Sequence, residues 1–262
     1  MRIHLILIIL ILTAFFLFIN NNINETFAPS DDDLEIIKFP FDCFIINLTE
    51  TDEGRRRWPI ISSKYPNAQH WKGCYGKEYD MEPEIANGVL TPDWDWGMWK
   101  HGQSKITQMT PGELGVIISH YGLWKKIADG NEPVVILEDD AIKTDSSSQS
   151  RIDIIMSDLP SDFDIYLIGY LDLKPRPFND SIHNRVNEFV LMHSYVVSPK
   201  GARKLLDSLP VNMPLDTWIS SLSDKLKIYR HNFYSIGKQN RLSSLIISQK
   251  REAKQIENTN IT

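Results

Sequence analysis

One stretch, Pro133-Val134-Val135-Ile136-Leu137-Glu138-Asp139-Asp140-Ala141, restricts the fold of this chain more than any other. Four apolar residues, three of them β-branched, run without alternation and then stop at three carboxylates. An unbroken apolar run of this length is the pattern of a strand covered on both faces, as in the parallel sheet of an α/β protein. Ligands of such sheets gather beyond the carboxyl ends of the strands, where the three acids fall. Side chains alternate along a strand, so Glu138 and Asp140 are expected on one side and Asp139 on the other. Two carboxylates on one side repel each other unless a cation lies between them. Oxygen donors at an open position suit a hard ion, Mn²⁺ or Mg²⁺, that keeps free positions for a phosphate. A solvated acidic loop after a core strand is the competing reading.

The N-terminus separates from the rest. Ile3 to Ile19 is apolar except for His4 and Thr13, and at about 1.5 Å per residue it is about 25 Å long, the short end of a membrane span. Arg2 precedes it, and Glu25 and Asp31-Asp32-Asp33 follow. The positive-inside rule then puts the N-terminus in the cytosol and the remainder in the lumen of the secretory pathway. The expectation is an uncleaved signal-anchor over 1–19, as in a single-pass type II membrane protein. A cleaved signal peptide, giving a secreted protein, is the alternative. A polar stem over 20–40, a folded domain over 41–247 and a polar tail over 248–262 complete the division. Sequons at Asn24, Asn179 and Asn260 lie in polar segments, whereas the one at Asn47 sits at a strand end and is expected to be shielded.

The roughly 225 residues after the anchor suffice for one sizeable α/β domain or two small ones. Lys+Arg 28 against Asp+Glu 34 gives a net charge of −6, the wrong balance for a partner with a phosphate backbone, so no nucleic acid is expected. Two cysteines, Cys43 and Cys74, exclude a disulfide framework. Cys43 falls in an apparent core strand; a bridge to Cys74 in an oxidising compartment stays open.

Phe41 to Leu48 reads as the first strand, followed by a polar turn with Arg55-Arg56-Arg57. These arginines suit either a diphosphate or a solvated helix face. A helix over Trp58 to Lys64 and a strand near Ala68–Trp71 follow. Trp94, Trp96 and Trp99 then crowd a glycine-rich stretch with Asp93 and Asp95 between them. Aromatic faces beside acids suit a sugar acceptor; a satellite core under a long loop explains them equally. Thr110-Pro111-Gly112-Glu113 is a capping box opening a helix to Ala128, which gives Glu113 a structural task and leaves His120 readable as a satisfied helix histidine. Further strands are expected over Asp164–Gly169, Phe189–Val197 and Leu226–Tyr229, with a proline-rich loop over 170–188 and helices over Ala202–Leu209 and from Met213 onward.

Together these segments resemble glycosyltransferase family 25, the lipooligosaccharide and collagen galactosyltransferase group. Asn47-Leu48 at the end of the first strand is similar to the family's first motif. Thr110 to Gly115, Ser119-His120 and Leu123-Trp124-Lys125-Lys126 are similar to its helix signature, and Leu137 to Ala141 to its metal motif. Ser194 to Ala202 and Pro214-Leu215-Asp216 are similar to its later segments. The chain departs from the pattern where the family usually has an Asp-Arg pair and this sequence has Thr49-Glu50. The Trp94–Trp99 stretch is not part of the pattern.

The resemblance implies a single GT-A-like domain with a mostly parallel central sheet flanked by helices. It implies an inverting transfer of a hexose such as galactose from a nucleotide sugar, a UDP-hexose, to a glycan or a hydroxylated protein. Glu138 and Asp140 would hold Mn²⁺ or Mg²⁺, and Asn47, Leu48, Arg55, Glu113, His120 and Asp139 would meet the donor. Trp94, Trp96, Trp99 and Trp218 are the candidates for stacking on the acceptor. Inversion needs a carboxylate on the acceptor side. Asp216 follows a proline at a helix start, with Trp218 two residues on, and is the candidate base; an ordinary N-cap is its other reading. A luminal binding protein with the same fold and no transfer is the rival from another class.

Overall fold

The computed structural model describes residues 36–91, 109–141, 149–173 and 182–232. All belong to one compact unit, Ile36–Thr262. In chain order the elements are β1 (Asp42–Asn47), α1 (Asp52–Lys64), β2 (Gln69–Lys72), α2 (Glu82–Ala86), α3 (Pro111–Ala128), β3 (Val134–Glu138) and α4 (Gln149–Ser157). There follow β4 (Ile165–Asp172), β5 (His183–Arg185), β6 (Phe189–Val197), α5 (Pro199–Leu206), α6 (Leu215–Ser221) and β7 (Ile228–His231). The expected signal-anchor, most of the expected stem, Trp94, Trp96, Trp99 and the sequons at Asn24, Asn179 and Asn260 lie outside the described residues. Among the described residues no helix is long and apolar enough to cross a membrane.

The strands form a seven-stranded sheet in the order β2-β1-β3-β6-β4-β7-β5. β2, β1, β3, β4 and β7 run one way, and β6 and β5 run the other. The sheet is therefore mostly parallel, as expected, with β6 inserted antiparallel between β3 and β4. β5 and β6, consecutive in the chain, both run against the other five strands. The nearly continuous burial of β6 marks it as a central strand.

Alternation along β3 divides the core into two layers. Val134 and Ile136 pack with α3, α5 and α6, while Val135 and Leu137 pack with α1 and α4. The capping box of α3 forms as its sequence dictates: Glu113 N donates to Thr110 Oγ1 at 3.3 Å and Thr110 N donates to Glu113 Oε2 at 2.9 Å. Helix α1 begins at Asp52, not Trp58. Thr51 caps it by accepting from Gly54 N at 3.0 Å, so the three arginines lie inside the helix rather than in a turn. Cys43 is buried, and both cysteines are free thiols.

Two close approaches shape the ends of these elements. A Cβ on Gly54 would stand 2.0 Å from Leu48 O, so only glycine lets α1 start this near the end of β1. A Cβ on Gly76 would stand 1.8 Å from Pro111 O, and one on Gly115 2.5 Å from Cys74 O. The loop after β2 thus lies main chain against main chain on the first turn of α3.

Candidate active site

A cleft opens at the carboxyl ends of β1 and β3. Its walls are Ile46 and Asn47 from β1 with Leu48 just beyond, Cys74-Tyr75-Gly76 after β2, the first turns of α3 with Ser119 and His120, and Arg57 from α1; Glu138 at the end of β3 and Asp139 and Asp140 after it line the cleft. The alternation expected of the first two acids holds. Glu138 faces α3, where its Oε1 lies 3.5 Å from His120 Nε2. Asp139 faces α1, accepting from Arg57 Nη1 at 2.8 Å and from Asn47 Nδ2 at 2.7 Å. Strand β3 ends at Glu138, so Asp140 belongs to the following turn; it too is buried against the cleft.

Asp139, Arg57 and Asn47 form a closed cluster. Asn47 also donates to Gly54 O at 3.0 Å, and Arg57 Nε donates to Glu53 Oε1 at 2.8 Å. Burial works against the charge of Arg57, but the charge of Asp139 and the hydrogen bond to it outweigh this and hold the guanidinium above its ordinary pKa. Arg57 Nη2 and Asn47 Oδ1 are buried without a partner among the described residues. Asn47 is only 1 % exposed, so its sequon is shielded in the folded chain.

The other acid is tuned differently. Burial pushes the Glu138 carboxyl up to about 8, with the charges of Asp139 and Asp216 adding to the rise and Arg57 opposing it. Burial alone holds His120 down to about 3, so the imidazole facing Glu138 is neutral. His120 Nδ1 lies 2.8 Å from Tyr195 Oη, which accepts from Trp124 Nε1 at 3.0 Å.

Several expected roles change with these positions. Arg55 is exposed and lies outside the cleft; its Nη1 donates to Thr49 O at 3.1 Å and Glu50 O at 2.7 Å, and it pairs with Asp52, bracing the β1–α1 loop. Arg57, two residues on, takes the cleft position instead. Helical spacing contained that signal: Gly54, Arg57, Ile61 and Lys64 share the buried face of α1. Glu113 is spent on the capping box and does not line the cleft. Trp218 is not an acceptor platform: it is 3 % exposed in the core and stacks on Trp124 with ring centroids 6.0 Å apart.

Asp216 is not an N-cap. It is the second residue of α6, whose N-cap is Pro214. Its Oδ2 accepts from Leu191 N and its Oδ1 from Thr217 N, both at 2.7 Å. Leu191 has a positive φ of 58°, so Asp216 pins a left-handed residue in β6 while its charge reaches Glu138. Asp164 is fully buried at the amino end of β4, away from the cleft, where it accepts from Lys227 N at 2.8 Å and pairs with Lys204.

For a divalent ion the fit is partial in an informative way. Both oxygens of Asp139 are taken, which leaves Glu138 and Asp140 as the cleft's carboxylate donors. Among the described residues no group of three or more His, Cys, Asp or Glu converges as a metal cage. Two carboxylates at an open cleft suit a hard ion whose remaining positions are filled by substrate phosphates and water.

A family model described as Glycosyltransferase family 25 (LPS biosynthesis protein) matches residues 41–219. The chain is 26 % identical over 203 residues to procollagen galactosyltransferase 1-A of Xenopus laevis and 30 % identical over 204 residues to procollagen galactosyltransferase 1-B of the same organism. Each match covers 72 % of this chain and 32 % of the relative, so the chain spans about a third of their length. It is also 27 % identical over 128 residues, 45 % of this chain and 21 % of the relative, to the inactive glycosyltransferase 25 family member 3 of Homo sapiens. The family match takes in β1 through most of α6, including every residue that lines the cleft, and the chain belongs to glycosyltransferase family 25.

Proposed function

We propose that this chain is a GT-A-like glycosyltransferase that moves a hexose, galactose first among the candidates, from a UDP-sugar to a hydroxyl of a glycan or a hydroxylated protein. One observation carries the reading: Glu138, Asp139, Asp140, Arg57 and the first turn of α3 meet in a single cleft at the carboxyl end of the sheet. The likeness to procollagen galactosyltransferases supports both the sugar and the acceptor class. Glu138 and Asp140 would hold Mn²⁺ or Mg²⁺, which when bound supplies positive charge for a leaving diphosphate. Asp139, fixed by Asn47 and Arg57, keeps the acidic turn in place rather than serving as a ligand. Arg57 Nη2 and the main-chain N–H groups opening α3 are donors for phosphate oxygens, and the helix terminus favours negative charge there.

Asp216 is the candidate base for an inverting transfer. Its carboxylate is held by Leu191 N and Thr217 N, with Thr217 Oγ1 at 3.4 Å, and its charge reaches Glu138 in the cleft. The signal-anchor over 1–19 and a luminal catalytic domain belong to the same proposal and rest on the sequence.

The test is UDP release from a panel of UDP-sugars with Mn²⁺, repeated in excess EDTA and in Asp140→Asn. Turnover that needs the metal and Asp140 supports the proposal, and full turnover without either removes the metal from it. A second reading, a binding protein that has lost transfer, is favoured by the likeness to an inactive family member. Its signature is a UDP-sugar that raises the melting temperature without any release of UDP.

A further inference from the structure

The hydrogen-bond chain behind Glu138 has a direction that its own chemistry fixes. An indole N–H only donates, so Trp124 Nε1 donates to Tyr195 Oη at 3.0 Å. The Tyr195 hydroxyl proton then needs an acceptor, and His120 Nδ1, 2.8 Å away, is the one it meets among the described residues. With its lone pair on Nδ1, the neutral ring carries its proton on Nε2, the atom that faces Glu138 Oε1 at 3.5 Å. The reverse direction leaves a buried hydroxyl proton without an acceptor among the described residues, and that cost opposes it. Tyr195 and Trp124 are wholly buried and His120 is 1 % exposed. The imidazole stacks on the Tyr195 ring at 5.8 Å and 15°, so neighbouring packing holds its plane as well as its tautomer.

We propose that Tyr195, backed by Trp124, is a positioning residue for the reaction of this cleft: it locks His120 as the Nε2–H tautomer, and His120 orients the Glu138 carboxylate. For its kinetic consequence the proposal rests on the transferase reading; for the tautomer it does not. Glu138 ends a strand on a long side chain whose freedom costs entropy when it is fixed. A donor facing one oxygen at 3.5 Å removes part of that freedom. Partners of this kind behind a working carboxylate or histidine are worth about tenfold or more in affinity or activity. A mere tie between α3 and β6 would use the same atoms, so the test must read something packing alone does not move.

The side-chain protons of His120 in the ¹⁵N-labelled, metal-free full chain provide that reading, with the resonance assigned by its loss in His120→Gln. The expected result is the Nε2–H tautomer in the wild type and a mixture with the Nδ1–H form in Tyr195→Phe. In the transfer assay, Tyr195→Phe should lower kcat/KM about tenfold. The glutamine of His120→Gln carries an amide that donates toward Glu138 without Tyr195. In that background Tyr195→Phe should add less than about twofold, the mark of two residues acting through one another. A wild-type Nδ1–H tautomer, an unchanged tautomer in Tyr195→Phe, or an equal kinetic loss in both backgrounds overturns the proposal. If Tyr195→Phe does not fold, Trp124→Phe takes its place, and the wild-type tautomer decides without any variant. Absence of transfer from every UDP-sugar would count against the transferase reading, while the tautomer still decides the relay.

Discussion

Replacing Asp216 by Asn tests the proposed base, and the structure sets two separate costs. The carboxylate accepts from Leu191 N through one oxygen and from Thr217 N through the other. An amide offers one oxygen, so its NH₂ must face one of those donors. The loss of one hydrogen bond to a charged group costs about 1.5–3 kcal/mol. For a domain of this size about 2 kcal/mol lowers Tm by roughly 4–8 °C. Loss of a general base costs roughly a hundredfold in kcat or more. The two effects are separable at Leu191, whose φ of 58° strains any residue but glycine by about 1–2 kcal/mol. Leu191→Gly in the Asp216→Asn background should recover part of the lost Tm and none of the lost kcat. Thermal melts and initial rates, taken well below both transitions, are the measurements. A kcat near wild type in Asp216→Asn alongside the expected fall in Tm would refute the base and leave Asp216 as a brace between α6 and β6.

The exchange of roles between two arginines makes a paired prediction: Arg57→Ala strands the buried Asp139 charge and should cost about 3–5 kcal/mol, whereas exposed Arg55→Ala should cost under about 1 kcal/mol, both read by chemical denaturation. Trp218→Ala should destabilise by about 3–5 kcal/mol as a core truncation, with the acceptor KM unchanged wherever the variant remains folded. Glu138 sits at about 8 when folded without metal, so between the ordinary carboxylate range and about 8 the folded chain binds more protons than the unfolded one. Stability of the metal-free chain should therefore fall as pH rises through that window, and Glu138→Gln should flatten the dependence of Tm on pH.

What the sequence disclosed was local or periodic. The capping box of α3 needs only four adjacent residues, and the β3 strand announces its two-sided burial by lack of alternation. The acidic triplet was found for the same reason, because a strand end and its charges are contiguous. The start of α1 is hidden in the sequence because Pro59 and the charged run before it mask a helix that Thr51 caps. Once the helix is phased from Thr51, Arg57 falls on the buried face and Arg55 does not. Partners distant in the chain could not be read. Proximity to Asp216 in the sequence suggests a sugar platform at Trp218, but its ring is covered by Trp124. Tyr195 read as a core strand residue, and nothing adjacent to it shows that its hydroxyl ends on His120. Strand direction was equally hidden, since a buried run such as β6 looks the same in either orientation. β5 has no apolar pattern and lay within an expected loop.

The glycine contacts between the loop after β2 and α3 bear on how this cleft can diverge. Where Gly76 and Gly115 bring main chain onto main chain, the spacing between this loop and the helix is set by backbone contact and not by side-chain volume. Cys74 and Tyr75, which lie on that stretch and line the opening, project from a wall whose position does not depend on them. Their replacement would change the surface that a ligand meets without moving the main chain behind it. Any side chain at Gly76 would instead push the wall itself away from the helix terminus. Drift at the first two positions and intolerance at the glycine are the pattern that a main-chain wall imposes, so specificity can be retuned there while the frame stays as it was.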